Sequence, residues 1–320
     1  MVEIDKKDRK IMYQLDLNSR QSLTSIGKKV GLPKNVVLYR INKLEKKGII
    51  KNYYTVVNVH KLGYNILRFY FTYQYTNPDI KKEIIDYFKK SKYTTIIHHV
   101  EGPYELVIYV YTKNLNEFYP FWQKTLVEYR DYFATQQLAL YHKEIMYDLN
   151  FITKNKKPRK RVEVYKGKNP VEIDDVDYKI LTYISADARM SAVDIAKKLD
   201  VTTVTVANRI KKLVEEEIIQ WFRTNFDLTK IGYRWYKVDI DLKDHKKIKQ
   251  IIEYLSRNSN FVGVDRTLGY KDLEIEFYLK NVNEVHEIME DLSLKFPNTI
   301  RNYKYVYVVE TYRYHFFPPE

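Results

Sequence analysis

Residues 2–11 and 171–180 spell the same string, Val-Glu-Ile-Asp-x-x-Asp-x-Lys-Ile, at an offset of 169 positions. The register continues without a gap through Arg20/Arg189, Ile26/Ile195, Lys29/Lys198, Arg40/Arg209, Lys43/Lys212 and Ile50/Ile219, and it ends in Gly63-Tyr64 against Gly232-Tyr233. Further on, Gly102, Glu105 and Leu106 fall on Gly269, Asp272 and Leu273 once two residues are dropped. A repeat held this long makes the chain a tandem duplication, joined by Thr153 to Pro170, so any fold must be built twice. The 320 residues allow several domains, and 45% hydrophobic composition supplies a core for them.

Each copy divides in two. In the first 60 residues Asp5 is a helix N-cap with Asp8 three positions on, and Ile11, Met12 and Leu15 follow at helical spacing. A short helix carries Leu23, Ile26 and Val30 and stops at Gly31. A third starts near Pro33, buries Val37, Ile41 and Leu44, and ends at Gly48. Extended chain follows from Ile49 to Asn58, which predicts a β-ribbon and with it a winged helix-turn-helix. The rest alternates strand, helix, strand, strand, helix, strand between Ile66 and Ile145, and again between Trp235 and Tyr314. The predicted fold class is therefore α+β, two copies of a winged helix-turn-helix followed by a ferredoxin-like βαββαβ domain. The expected boundaries are 1–63, 64–152, a basic linker 153–170, 171–232 and 233–320.

Charge separates the copies. Residues 1–63 carry 14 basic and 5 acidic side chains, residues 171–232 carry 9 and 11, and the linker adds 8 against 1. A positive field of this kind selects polyanions, with double-stranded DNA the first partner to consider. The outward set of the third helix is Lys34, Asn35, Leu38, Tyr39 and Asn42. Asn35 and Asn42 suit base edges, whereas Lys34, Arg40, Lys43 and the wing residue Lys51 suit phosphates. Copy two offers Thr203, Thr205 and Asn208 with Arg209, Lys211 and Lys212, but Glu215-Glu216-Glu217 replaces Lys46-Lys47-Gly48. Acids there repel phosphate, and the lost glycine is expected to alter the helix end. The linker string Lys156-Lys157-Pro158-Arg159-Lys160-Arg161 reads as a solvated segment that adds phosphate contact.

The motifs Ile4-Asp5-x-x-Asp8-Arg9-Lys10-Ile11, Asn18-Ser19-Arg20, Arg40-Ile41-x-x-Leu44-Glu45-x-x-Gly48-Ile49-Ile50, Leu62-Gly63-Tyr64 and Gly102-x-x-Glu105 resemble the Lrp/AsnC (feast/famine) family of prokaryotic transcription regulators. The resemblance implies a DNA-binding winged helix and a second domain that pairs through its sheet and takes a small effector such as an amino acid. By that analogy the effector would sit at Gly102, Tyr104 and Glu105 and at Gly269 and Asp272. Family members usually carry one unit per chain and dimerise, so the fused pair implies an intramolecular pseudo-dimer, with higher homo-oligomers left open.

A copy-one to copy-two pairing also follows from strand alternation. Asp239, Asp241, Glu274 and Glu276 fall on the face away from the helices, where four carboxylates would repel one another in a homotypic pair. The matching face of copy one holds Arg68, Tyr70, Thr72, Val107 and Tyr109 and no acid among them.

The rival reading is catalytic, since siroheme decarboxylases resemble this family and also occur as paired or fused copies. Those enzymes rely on histidine and arginine, but His60, His98, His99, His142, His245, His286 and His315 show no metal-ligand spacing. No cysteine is present, and neither a phosphate-binding glycine loop nor a Ser/His/Asp spacing appears. The expectation is no catalytic residue, no cofactor, no metal, no membrane span and a cytoplasmic location.

Overall fold

The computed structural model describes residues 2–153, 159–165 and 170–318. Copy one opens with a reciprocal cap: the Asp5 carboxylate accepts from the Asp8 amide at 2.8 Å and the Asp8 carboxylate accepts from the Asp5 amide at 3.3 Å. Three helices follow, α1 (Lys6–Leu17), α2 (Leu23–Val30) and α3 (Lys34–Lys46). They lead into β1 (Ile50–Val57), β2 (Asn65–Tyr73), α4 (Pro78–Lys90), β3 (Thr94–Glu101), β4 (Leu106–Thr112), α5 (Leu115–Tyr129), β5 (Phe133–Tyr147) and β6 (Arg161–Tyr165). Copy two repeats this as α6 (Asp175–Ala186), α7 (Ala192–Leu199), α8 (Thr203–Glu215), β7 (Ile219–Phe226), β8 (Arg234–Leu242), α9 (Ile248–Leu255), β9 (Phe261–Leu268), β10 (Leu273–Leu279), α10 (Asn283–Lys295) and β11 (Ile300–Tyr314). No helix among the described residues is long and apolar enough to cross a membrane.

The expected β-ribbon within each copy does not form. Instead β1 pairs antiparallel with β7, Tyr54 opposite Arg223. The physical reason lies in the segment itself: from Ile49 to Leu62 it holds no glycine or proline to turn a hairpin, and Tyr54, Val56 and Val57 are buried. The arms therefore cross. Val57, Val59 and Leu62 of copy one join Ile180, Ile184 and Leu213 in the core beneath α6–α8, and Phe226, Leu228 and Ile231 of copy two join Ile11, Leu15 and Ile41 beneath α1–α3. The expected boundaries at 63 and 232 thus cut through shared cores. A matched pair of hydrogen bonds fixes the crossing, Ser19 N to Phe222 O and Ala188 N to Tyr53 O, each 3.0 Å.

The two βαββαβ units close a single ring of strands in the order β2-β4-β3-β11-β8-β10-β9-β5, with β5 returning to β2 and β6 added outside β5. Two long strands make the closure. β5 pairs with β2 up to Leu140 and with β9 from Leu140 onward, and β11 pairs with β8 up to Tyr307 and with β3 beyond it. Helices α4 and α5 cover one half over Phe71, Phe88 and Phe118, and α9 and α10 cover the other over Ile251, Phe277 and Leu292. The other face of the strands lines the inside of the ring.

Candidate nucleic-acid interface

Helix α3 buries Val37, Ile41 and Leu44 and turns its opposite side to water. Lys34, Asn35, Leu38, Tyr39, Asn42 and Lys43 are all exposed there, Tyr39 at 66%. The side chains of Lys34, Asn35, Asn42 and Lys43 make no hydrogen bond or ion pair among the described residues. No group among the described residues competes with a phosphate or a base edge for them.

Arg40 does not belong to that set. Its guanidinium pairs with Asp5 and Asp8, 2.7 Å to each, and so ties α3 to the start of α1. Arg209 repeats the device with Asp174 at 2.6 Å and Asp177 at 3.1 Å. Both had been expected to face phosphate. The repeat explains the correction, since Asp5-x-x-Asp8 and Arg40 recur together as Asp174-x-x-Asp177 and Arg209. Lys51 on β1 is exposed but stands 3.7 Å from Asp227.

Helix α8 presents a different surface. Thr203 and Asn208 are exposed, whereas the Thr205 hydroxyl is held by Thr202 at 2.8 Å, inside the N-cap, and is not free for a base edge. Lys211 and Lys212 lie 3.7 and 3.8 Å from Glu215 and Glu216, one turn on. These exposed pairs are weak, yet they neutralise the cations where α3 leaves its own unpaired. The helix end itself is not altered as expected: Glu217 takes the left-handed conformation of Gly48, φ +55 against +67, and Ile218 N still donates to Leu213 O at 2.9 Å.

The basic linker also differs from expectation over its described part. Arg159 pairs with Asp148 at 3.2 Å and donates to Asn258 O, and the Lys160 ammonium lies 4.4 Å from the centre of the Trp221 ring. Burial first, with the charge of Arg223 beside it, brings the Lys160 ammonium down to about 8. These two side chains fasten the ribbon to the barrel instead of reaching into solvent. Lys156, Lys157 and Pro158 lie outside the described residues.

The turns expected to hold an effector also serve the fold. Glu105 accepts from Tyr73 N and Lys81 Nζ, both at 2.8 Å, and Asp272 accepts from Leu242 N at 2.7 Å, so each carboxylate already ties its turn to a neighbouring strand or helix. Gly102, φ +139, lies against β11, where a Cβ would stand 2.6 Å from Tyr305 O. Tyr104 packs on Tyr70 at 4.8 Å, and Tyr70 stacks on Tyr270 at 4.6 Å, the residue after Gly269.

Inside the ring, Arg68 is fully buried among Glu274, Asp265 at 2.8 Å and the hydroxyl of Tyr141. Tyr70 donates to Glu274 at 3.1 Å, and the Arg68 guanidinium carbon lies 5.6 Å from the Tyr109 ring centre. Burial works against the guanidinium charge, but Glu274 and the surrounding tyrosines hold its pKa well above the ordinary value. Asp239 accepts from Tyr270 at 2.6 Å and Glu276 from Lys237 at 3.3 Å, while Asp241 stands apart at the rim, paired with Lys271 at 2.8 Å. Sequence reasoning passed over Lys237, which contacts Asp265, Glu274 and Glu276 within copy two. It stands on the same alternation as Asp239 and was legible there, and it reduces the self-repulsion expected of the acidic face. Asp265, Tyr141 and Glu144 were also missed, because β5 and β9 come together only when the ring closes.

Comparison with known proteins fits this geometry. A family model described as winged helix-turn-helix DNA-binding matches residues 4–51 and 173–220. An uncharacterized HTH-type transcriptional regulator of Pyrococcus furiosus is 37% identical over 103 residues, 32% of this chain and 70% of that protein. Another, from Pyrococcus abyssi, is 30% identical over 118 residues, 37% of this chain and 80% of its own. The crystal structure of the siroheme decarboxylase NirDL superposes with a TM-score of 0.63 over 98% of this chain and 94% of that one, at 11% identity, a likeness of fold. The duplicated winged helix-turn-helix and the regulator relatives make this chain a member of the HTH-type transcriptional regulators, with the helix-turn-helix unit present twice.

Proposed function

We propose that the chain is a sequence-specific regulator that binds double-stranded DNA as an intramolecular pseudo-dimer, with α3 as the dominant reader and α8 as a minor one. The observation that carries this reading is the contrast between the two helices. Lys34 and Lys43 are exposed and unpaired among the described residues, with Asn35 and Asn42 beside them, whereas Lys211 and Lys212 each have an acidic partner one turn on. The crossed arms support the pseudo-dimer, because each three-helix unit rests on a strand of the other copy. Genomic footprinting of the full chain would identify its sites, and mobility shifts on those duplexes at several salt concentrations would measure the electrostatic share. Saturable, salt-sensitive shifts that favour footprinted over random duplex are expected. Absence of any shift at low salt would overturn the reading, and absorption titration with siroheme would then test the catalytic alternative.

A further inference from the structure

Helix α5 turns an uncharged stripe to water. Leu115, Tyr119 and Val127 are 54%, 60% and 81% exposed, and Pro120 and Gln123 stand exposed between them. Trp122 and Leu126 lie half-buried along one flank. The patch continues past the helix on that side: Trp122 stacks on Phe69 at 4.3 Å, and Phe69 is in register with Leu138 of β5, which is exposed. Apolar residues scattered singly over a surface carry no message, whereas a contiguous patch marks a contact face.

The duplication supplies a control within the molecule. At the offset that carries Gly102 onto Gly269, the buried residues Phe118, Thr125 and Tyr129 of α5 fall on Val285, Leu292 and Phe296 of α10, also buried. The two helices thus sit alike on their sheets, but their outward sides differ. Tyr119, Pro120 and Gln123 become His286, Glu287 and Glu290, and Glu117 and Lys124 become Glu284 and Asp291. The fold does not require an uncharged stripe at this place.

The charges beside the stripe point to what covers it. Glu117 and Lys124 are exposed and seven residues apart, two turns along the same flank. Two copies of one helix about a twofold axis run antiparallel, so that residue i of each meets residue j of the other. With the axis beside Pro120, Glu117 comes opposite Lys124 of the second copy and Lys124 opposite its Glu117. On the other flank Leu115 comes opposite Leu126, and Tyr119 opposite Trp122. A side chain at the axis meets its own counterpart, where a charge would repel itself. Helix α5 has Pro120 there and α10 has Glu287, and the same pairing of α10 would set Glu284 against Asp291. The contacts α5 already makes, Lys124 to Glu128 at 3.6 Å and Asn114 to Glu117 at 3.1 Å, are exposed and weakly held.

We propose that the outer face of α5 is a docking surface for a second copy of this chain, the two α5 helices lying antiparallel about a twofold axis at Pro120. The contact lies outside the ring and is independent of the DNA reading. It spans one helix of 15 residues, about 22 Å, so association is weak, with a dissociation constant of about 1 μM or higher.

The test is sedimentation equilibrium of the full chain without DNA, from about 1 μM to 1 mM. The mass should rise with concentration from 38.7 kDa toward twice that value. Val127→Arg, at an exposed position, and Lys124→Glu, which sets acid against Glu117, should each weaken association roughly ten-fold or more, with folding checked by circular dichroism. Glu117→Lys combined with Lys124→Glu restores opposite charges across the axis and should recover most of that loss, which a local effect on the helix would not do. Leu294→Arg, the α10 counterpart of Val127, should leave association unchanged. A chain that stays single throughout this range would overturn the proposal. So would association that survives either single change on α5, that the charge exchange fails to restore, or that Leu294→Arg weakens as much.

Discussion

Gly48 and Glu217 occupy the same left-handed backbone position, φ +67 and φ +55, at the ends of the two reading helices α3 and α8. The hydrogen bonds they permit are alike, Ile49 N to Leu44 O and Ile218 N to Leu213 O, both 2.9 Å. A side chain at this position carries a backbone cost that glycine avoids. Glu217→Gly should therefore raise the unfolding midpoint in denaturant, by an amount worth about 1 kcal/mol. Gly48→Glu should lower it, with the new Cβ 3.3 Å from the Lys230 ammonium. A lower midpoint for Glu217→Gly would refute the account of that helix end.

The imbalance between readers has a measurable form. Lys43→Ala should weaken binding to every duplex and lower the salt slope by about one. Lys212→Ala should change it less, since Lys212 stands 3.8 Å from Glu216. Asn35→Ala or Asn42→Ala should relax preference at single base pairs, worth about 1 to 3 kcal/mol of discrimination for each good base contact. Titrations of footprinted and random duplexes at several salt concentrations decide between these outcomes.

Arg40 should separate from its neighbours on α3 in a different assay. Arg40→Gln breaks the link to Asp5 and Asp8 and leaves the buried Asp8 carboxylate without it. The cost to stability should be about 1 to 2 kcal/mol, read from denaturant unfolding, while Lys43→Ala should cost nearly nothing.

Arg68→Met should cost about 3 to 5 kcal/mol, because Glu274 and Asp265 stay buried with one of their two cations gone. Adding Glu274→Gln should recover a good part of that loss. A double variant no more stable than the single one would show that Arg68 acts through packing on Tyr70 and Tyr141, at 4.7 and 4.8 Å, and not through charge.

Stability should also fall as pH rises toward neutrality. Burial, and then the neighbouring Glu274, pushes Asp239 up to about 7. A raised carboxyl binds its proton more tightly in the folded chain than in the unfolded one, so its contribution is complete below the ordinary carboxylate pKa. It declines as pH rises from there and is gone above about 7. Glu276 and Glu144 are raised as well and act in the same direction. Asp239→Asn should flatten the decline between acidic and neutral pH in thermal unfolding, and an unchanged pH profile would show that Asp239 is ionised throughout.

What the sequence disclosed followed the range of the interactions concerned. Caps, helix spacing and strand alternation are local, and Asp5, Val37, Ile41 and the period-two face of β8 were readable from them. The repeat also made the link between Arg40 and Asp5-x-x-Asp8 visible in principle, since both parts recur at the same offset. Exchange between copies was not readable. Tyr54 and Phe226 look like wing residues of their own copies, and only the absence of a turn signal before Gly63 hints that the arm continues elsewhere. Arg68 was placed opposite the acids by alternation, whereas Asp265 and Tyr141 meet it only because β5 leaves β2 at Leu140 and continues along β9.

The crossed arms bear on how the two halves can change over time. Phe226, Leu228 and Ile231 of copy two form part of the floor under α1–α3, while Thr203, Asn208, Lys211 and Lys212 of α8 stand exposed. Substitutions that strip charge from α8 leave the first reader intact, but a polar residue at Leu228 would undermine a helix unit encoded more than 170 codons upstream. The outward surface of the second half is thereby free to change while its buried strand stays bound to its place. A duplicated gene in this arrangement can specialise one reader without ever being able to discard the other.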